Sequence, residues 1–205
     1  MSVFRDTAAR TVTPAPAAGA SIRVMSEHLY ALFDTALGPC GIAWGPRGVT
    51  GVQLPGSSAE TTRTRLLRRC PGAEEGQPPA EIVQVIDRIK ALLRGEPIDL
   101  SAVALDLDRV SPFERQVYAI AREIQPGSTM TYGEIARRLG DPMLARDVGQ
   151  AMGHNPFPII VPCHRVLAAG GKPGGFSAPG GVDTKMRMLR IEGAPAAAQT
   201  SLFDL

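Results

Sequence analysis

The sequence predicts an α+β fold: a small amino-terminal α/β unit with an antiparallel sheet, followed by a mostly helical carboxy-terminal unit. Three observations carry this. Short apolar runs between residues 29 and 54 are punctuated by Gly-Pro pairs, the signature of short strands joined by turns. From Ile82 onward apolar residues recur at three-and-four spacing, the period of a helix with one buried face. Residues 132–153 then read as helix, tight turn with Gly, helix.

The strands are expected at Leu29 to Thr35, Cys40 to Trp44 and Val49 to Leu54, with breaks at Gly38-Pro39 and at Gly45-Pro46-Arg47-Gly48. Ser57 with Glu60 fits a capping box ahead of a helix running toward Arg69, with Leu66 and Leu67 inward. A second helix carries Ile82, Val85, Ile86, Ile89, Leu92 and Leu93, and Gly95 and Pro97 stop it. Ile98 to Arg109 reads as a connector. Ser111-Pro112-Phe113-Glu114 opens the next helix: serine caps, proline takes the first turn, and glutamate reaches back. Phe113, Val117, Ile120 and Ile124 form its expected stripe, and Pro126-Gly127 ends it.

Tyr132 to Leu139 and Leu144 to Gly153, joined at Gly140-Asp141-Pro142, outline a winged-helix-like helix-turn-helix. An αα-corner buried in a core has the same outline. The organisation expected is a flexible tail over residues 1–24, a support unit over 25–105, the second unit over 106–193 and a tail over 194–205.

Composition bounds the function. The chain has 205 residues, 44% apolar and 20% charged, enough for one domain or two small ones and too apolar for wholesale disorder. No apolar run approaches the roughly 18–20 residues that span a bilayer, and the first twenty residues lack the apolar stretch of a secretory signal. A net charge of +2 argues neither for nor against nucleic acid. Cys40, Cys70 and Cys163 are odd in number and unpaired in spacing, which suits free thiols in the cytoplasm. His28, His154, His164 and the cysteines never take the close paired spacings of a zinc site, so neither metal nor cofactor is expected.

The chemistry concentrates in Asn155-Pro156-Phe157-Pro158-Ile159-Ile160-Val161-Pro162-Cys163-His164-Arg165-Val166. Its three prolines stiffen a loop, and Ile159 to Val161 are apolar enough to be buried. Cys163 therefore emerges at a rigid position, with His164 and Arg165 beside it to favour the nucleophilic thiolate. Cys40 and Cys70 are read as inert core thiols. Residues 170–181 hold six glycines and match no phosphate-binding pattern; a flexible linker and a loop close to a ligand both fit. Lys185 to Ile191 reads as a basic helix, closed by Glu192-Gly193; a solvated face would explain its charges.

Pro162 to Val166 (PCHRV), the preceding Asn155-Pro156, the upstream Thr131-Tyr132-Gly133-Glu134-Ile135-Ala136 and the terminal Glu192-Gly193 together resemble the O6-alkylguanine-DNA alkyltransferases, also called methylated-DNA–protein-cysteine methyltransferases. The resemblance is strong over Ser111 to Gly193 and looser over Leu29 to Gly95. It implies irreversible transfer of an alkyl group from O6 of guanine to Cys163, and leaves activity on O4-alkylthymine open. His164 would take the thiol proton through a water, Glu192 would orient His164, and Asn155 would brace the turn. Tyr132 would contact base and phosphate, the Val166 carbonyl would read the guanine amino group, and Ser177 would donate to O6. Met152 and Pro158 would wall the pocket.

The partner implied is double-stranded DNA containing O6-alkylguanine, met by a monomer. Arg146 would fill the gap left by a flipped nucleotide, and Ala145 and Gly149 would leave the small face that a close groove approach needs. Three positions depart from the family pattern. Phe176 stands where relatives often carry tyrosine, the loop from Phe176 to Lys185 is slightly longer, and Asp147 replaces a small residue. Two other functions compete. A lesion-binding relative without transfer usually has tryptophan in place of the cysteine, and a cysteine hydrolase would need an oxyanion arrangement that is not evident.

Overall fold

The computed structural model describes residues 27–195. The expected amino-terminal tail lies outside them, as does the carboxy-terminal one apart from Ala194 and Pro195. Ala194 is buried, and its amide donates to the Leu189 carbonyl, so the packed chain runs past the expected boundary at residue 193.

Three strands form an antiparallel meander: β1 (Leu29–Thr35), β2 (Gly38–Gly45) and β3 (Gly48–Gln53). Both hairpins close on a glycine at positive φ, Gly38 at 120° and Gly48 at 116°, a conformation that costs other residues steric strain. A short β4 (Glu74–Glu75) joins β1 in parallel, giving the order β3-β2-β1-β4. Two polar residues carry no strand pattern, so nothing in the sequence announced it.

Helix α1 (Ala59–Arg69) lies on one face of this sheet. Its cap is Ser58, not Ser57: the Ser58 hydroxyl accepts from the Thr61 amide, and Glu60 pairs with Arg63 instead of reaching back. Leu66 is buried and Leu67 only partly so. Glycines in the sheet admit the helix. A Cβ on Gly41 would lie 2.9 Å from Leu66 Cδ2, and one on Gly51 would lie 2.7 Å from Cys70 Sγ. The other sheet face joins α2 (Ala80–Leu92), whose Ile82, Val85, Ile86, Ile89 and Leu92 are buried as the periodicity predicts. Each such side chain contributes about 1.5–3 kcal/mol by leaving water.

The connector is not a separating linker. The Val49 amide donates to the Ala104 carbonyl, and the Asp106 amide donates to the Val49 carbonyl, so residues 104–106 run along β3. The Val52 amide donates to the Pro156 carbonyl, tying the sheet directly to the Cys163 loop. One apolar cluster extends from Phe33 and Ile42 through Val117 and Ile135 to Met188, spanning the boundary expected at 105/106.

Helix α3 (Pro112–Arg122) opens with the predicted capping box of Ser111 and Glu114. Its buried positions are Val117, Tyr118 and Ala121; Phe113 and Ile120 are only partly covered. A second capping box, Thr131 with Glu134, starts α4 (Tyr132–Arg138), and a single 3₁₀ turn over Pro142–Leu144 leads into α5 (Ala145–His154). Strand β5 (Met130–Thr131) pairs in parallel with β6 (Val166–Leu167), bringing the base of the helix-turn-helix beside the Cys163 segment. Helix α6 (Gly181–Ile191) begins four residues before the expected start at Lys185.

Candidate functional site

The segment after α5 is held by Asn155. Its side-chain Nδ2 donates to the Val161 carbonyl at 2.9 Å, and its Oδ1 accepts from the Phe157 amide at 2.9 Å. The loop closes on Ile159 at a φ of 78°, unusual for a β-branched residue and costing on the order of 1–3 kcal/mol. Near-complete burial of Ile159 contributes about 1.5–3 kcal/mol, and the Asn155 bonds about 1 kcal/mol each, so the strained turn holds. Cys163 follows as the first residue of a 3₁₀ turn (Cys163–Arg165).

Behind the thiol lies a buried polar chain. His164 is wholly buried, and its Nε2 is 2.9 Å from Glu192 Oε1. With Nε2 donating to the carboxylate, Nδ1 is left as an acceptor, and no described residue bonds to it. Glu192 is also gripped by Arg165, whose Nε reaches Oε2 and whose second terminal nitrogen reaches Oε1, both at 2.8 Å. The remaining Arg165 nitrogen donates to the Ile124 carbonyl beyond α3. Glu192, just past α6, thereby ties His164 to two other elements.

The electrostatics follow from burial. Desolvation pushes the Cys163 thiol up, and the Asn155 hydrogen bond and the Lys185 charge only partly oppose it. Burial likewise lowers the His164 imidazole against the pull of Glu192. Burial alone would raise Glu192, but the hydrogen bonds from His164 and Arg165 outweigh it and bring the carboxyl down to about 2. The resting state is thiol, neutral imidazole and an ionised Glu192–Arg165 pair. Arg165 does not favour a thiolate at Cys163 as its adjacency suggested, because its guanidinium turns to Glu192.

A cavity of about 460 Å³ opens in front of the sulfur, lined by Tyr132, Gly149, Met152, Cys163, Phe176 and Ser177. A narrower cleft that shares Met152, Phe176 and Ser177 with it brings Asn155 and Pro158 to Cys163 as well. Besides Cys163 itself, six sequence-predicted residues (Tyr132, Gly149, Met152, Asn155, Pro158 and Ser177) thus line the spaces that meet the thiol. Ser177 spends its hydroxyl hydrogen on the Gly153 carbonyl at 2.9 Å, and the Val166 carbonyl accepts from Lys185 at 2.6 Å. Arg146 lies away from this cavity, exposed in the first turn of α5. Gly149 has open space where a side chain would stand, and Ala145 is half-buried.

Lys185 is the residue the sequence reading misplaced. It is fully buried, its ammonium donates to the Val166 and Pro173 carbonyls at 2.6 Å, and it lies 5.9 Å from the ring centres of Tyr132 and Phe176. Burial lowers it to about 8. The signal was present: Lys185, Met188 and Leu189 share one helix face by i, i+3, i+4 spacing. Its two bonds fasten the glycine-rich loop, where Gly174 at φ 68° passes so close to Tyr132 that a Cβ would lie 3.2 Å from the ring.

A helix-turn-helix protein with a buried cysteine, backed by histidine and carboxylate and opening on a cavity beside the second helix, is the class that fold and site define. Residues 112–194 match the family model described as 6-O-methylguanine DNA methyltransferase, DNA binding domain. A methylated-DNA–protein-cysteine methyltransferase of Mycobacterium tuberculosis is 37% identical over 175 residues, covering 85% of this chain and 98% of that one. The protein of the same name from Methanothermobacter thermautotrophicus is 33% identical over 159 residues, covering 78% and 82%. Among solved structures, Mycobacterium tuberculosis OGT in complex with DNA superposes with a TM-score of 0.66 at 34% identity, covering 85% of this chain and 99% of that one. The chain belongs to the methylated-DNA–protein-cysteine methyltransferase family.

Proposed function

We propose that this DNA-repair methyltransferase removes the alkyl group from O6 of guanine in duplex DNA, and from O4 of thymine, by taking it irreversibly onto Cys163, once per molecule. The observation that carries the reading is the sequence of groups Cys163, His164, Glu192 and Arg165 behind a cavity that opens beside α5. The thiol proton passes through a water to His164 Nδ1, and the imidazolium so formed is stabilised by Glu192. The sulfur attacks the alkyl carbon, an S–C bond forms and the C–O6 bond breaks. The electron pair returns to the guanine, which then takes up a proton.

The alkylated base is out of reach within the stack, so the nucleotide rotates out at a cost of a few kcal/mol and enters the cavity beside Tyr132 and Met152. Arg146 occupies the vacated place, while Ala145 and Gly149 let α5 come close to the groove. Val166 and Ser177 hold the base through the lone pairs that Lys185 and Gly153 leave free and through rotation of the serine hydroxyl. The protein works as a monomer on DNA in the cytoplasm, on the nucleoid if the cell is bacterial. Among the described residues no helix is long and apolar enough to cross a membrane.

Intact-protein mass after incubation with duplex DNA carrying O6-methylguanine tests the reading. One methyl group per chain, mapped to Cys163, is the expected result. Binding without an adduct would favour a lesion-binding protein, and repeated turnover with release would favour a hydrolase.

A further inference from the structure

A second cavity, of about 530 Å³, lies between the sheet and the carboxy-terminal unit; Cys163 does not line it, but Arg69 lines both it and the narrower cleft at Cys163. Its volume falls in the range of roughly 300–1,000 Å³ typical of small-molecule sites. The walls are mixed. Pro156, Phe157, Val110 and the Tyr118 ring supply apolar surface, and Cys70 lines one side.

The charges lining it are unevenly matched. Asp106 and Asp108 are engaged by Arg47, at 3.0 and 2.5 Å. Glu114 accepts from the amide and hydroxyl of Ser111 in the α3 cap and lies 3.5 Å from His154. The carboxylates are therefore satisfied by their own neighbours. Two guanidiniums are not. Arg69 gives one N–H to the Asn155 carbonyl at 3.0 Å, and Arg109 has no hydrogen-bonding or ionic partner among the described residues. Both arginines line this cleft together with Cys70.

We propose that this cleft is a second binding site, for a small organic anion with an aromatic or aliphatic body, its charged group held between Arg69 and Arg109. Guanidinium pairs suit phosphate and carboxylate groups through parallel N–H donors, and the apolar walls take the rest of the molecule. The assignment does not rest on the reading of Cys163.

Cys70 supplies the test, because an occupied cleft shields it. The probes are 1-naphthyl phosphate, 1-naphthoate and uncharged 1-naphthol, with maleimide labelling of Cys70 and Cys163 followed separately by peptide mass in the full chain. With 1-naphthyl phosphate at about ten times its Kd, Cys70 labelling should slow roughly tenfold. Cys163 labelling should not change. Arg109→Lys should keep the protection and Arg109→Glu should lose it, with alkyl transfer normal in both because Arg109 is exposed and lines neither space at Cys163. Naphthoate against naphthyl phosphate separates carboxylate from phosphate ligands. Equal protection by 1-naphthol, unchanged protection in Arg109→Glu, or no protection by either anion would each overturn the proposal.

Discussion

Cys40 and Cys70, in the sheet region, and Cys163, in the helical region, are all buried, and burial raises all three thiols. Cys40, pushed up to about 12, has the Thr35 hydroxyl at 3.6 Å. Cys70 has the Thr50 hydroxyl and two arginines at a distance. Cys163 is no more acidic in kind, but it is followed by an imidazole with a free nitrogen, and a cavity opens in front of it. The difference teaches that a standing thiolate is not the device here. On the proposed mechanism the proton is removed when the substrate is in place, by a base whose own charge is provided for in advance.

The largest effect should separate the cysteines outright. Cys163→Ala should abolish alkyl transfer while leaving DNA binding largely intact, whereas Cys40→Ser and Cys70→Ser should each retain transfer. Methyl loss from DNA at the normal rate in the Cys163 variant would break the comparison.

Glu192→Gln should slow transfer about 10²-fold, within the range for general-base catalysis, because the imidazolium loses its counter-charge. The same variant sharpens the electrostatic side. The Glu192 carboxyl lies at about 2 in the fold against an ordinary 4.5, so its stabilisation is complete above pH 4.5 and is lost as pH falls from there toward 2. The shift corresponds to about 3 kcal/mol. Acid unfolding followed by circular dichroism should show that dependence in the native chain and a flatter one in the variant. Identical acid curves would place the carboxylate outside the linkage.

Arg146→Ala should reduce repair of duplex DNA about tenfold and leave reaction with free O6-benzylguanine unchanged, since a free base needs no extrusion. Single-turnover rates at two salt concentrations decide it. Equal slowing on both substrates would reject a role in the vacated stack, and a purely salt-dependent duplex defect would mark a phosphate contact. The smallest effect belongs to the cap of α1. Ser58→Ala should cost about 1 kcal/mol in denaturant unfolding and leave transfer unchanged, while Ser57→Ala should cost less.

Much of this was legible because local physics spoke plainly. The α2 stripe, the Ser111 capping box and the proline-stiffened segment before Cys163 need only spacing and backbone restriction. Where adjacent residues offered equal chemistry, as Ser57 and Ser58 did, the choice turned on how the chain enters the helix. Arg165 was misread because adjacency in sequence says nothing of direction, and its partner Glu192 comes 27 residues later. Lys185 was misread because charge was weighed above the helical period. The short strands β4, β5 and β6 are set by neighbours distant in the chain and leave no local trace.

The dependence of His164 on Glu192 has a consequence in time. Domains form as the chain emerges from the ribosome, amino-terminal parts first. Cys163 and His164 are made before the residue that orients the imidazole, which follows 28 positions later. A nascent chain, or one clipped within α6, therefore carries the acceptor thiol without a directed base, and it lacks the Arg165–Glu192 tie between α6 and the end of α3. The acceptor is armed last, by the closing of the fold itself. Under the proposed transfer, in which each molecule is spent on one lesion, incomplete chains are kept from being spent.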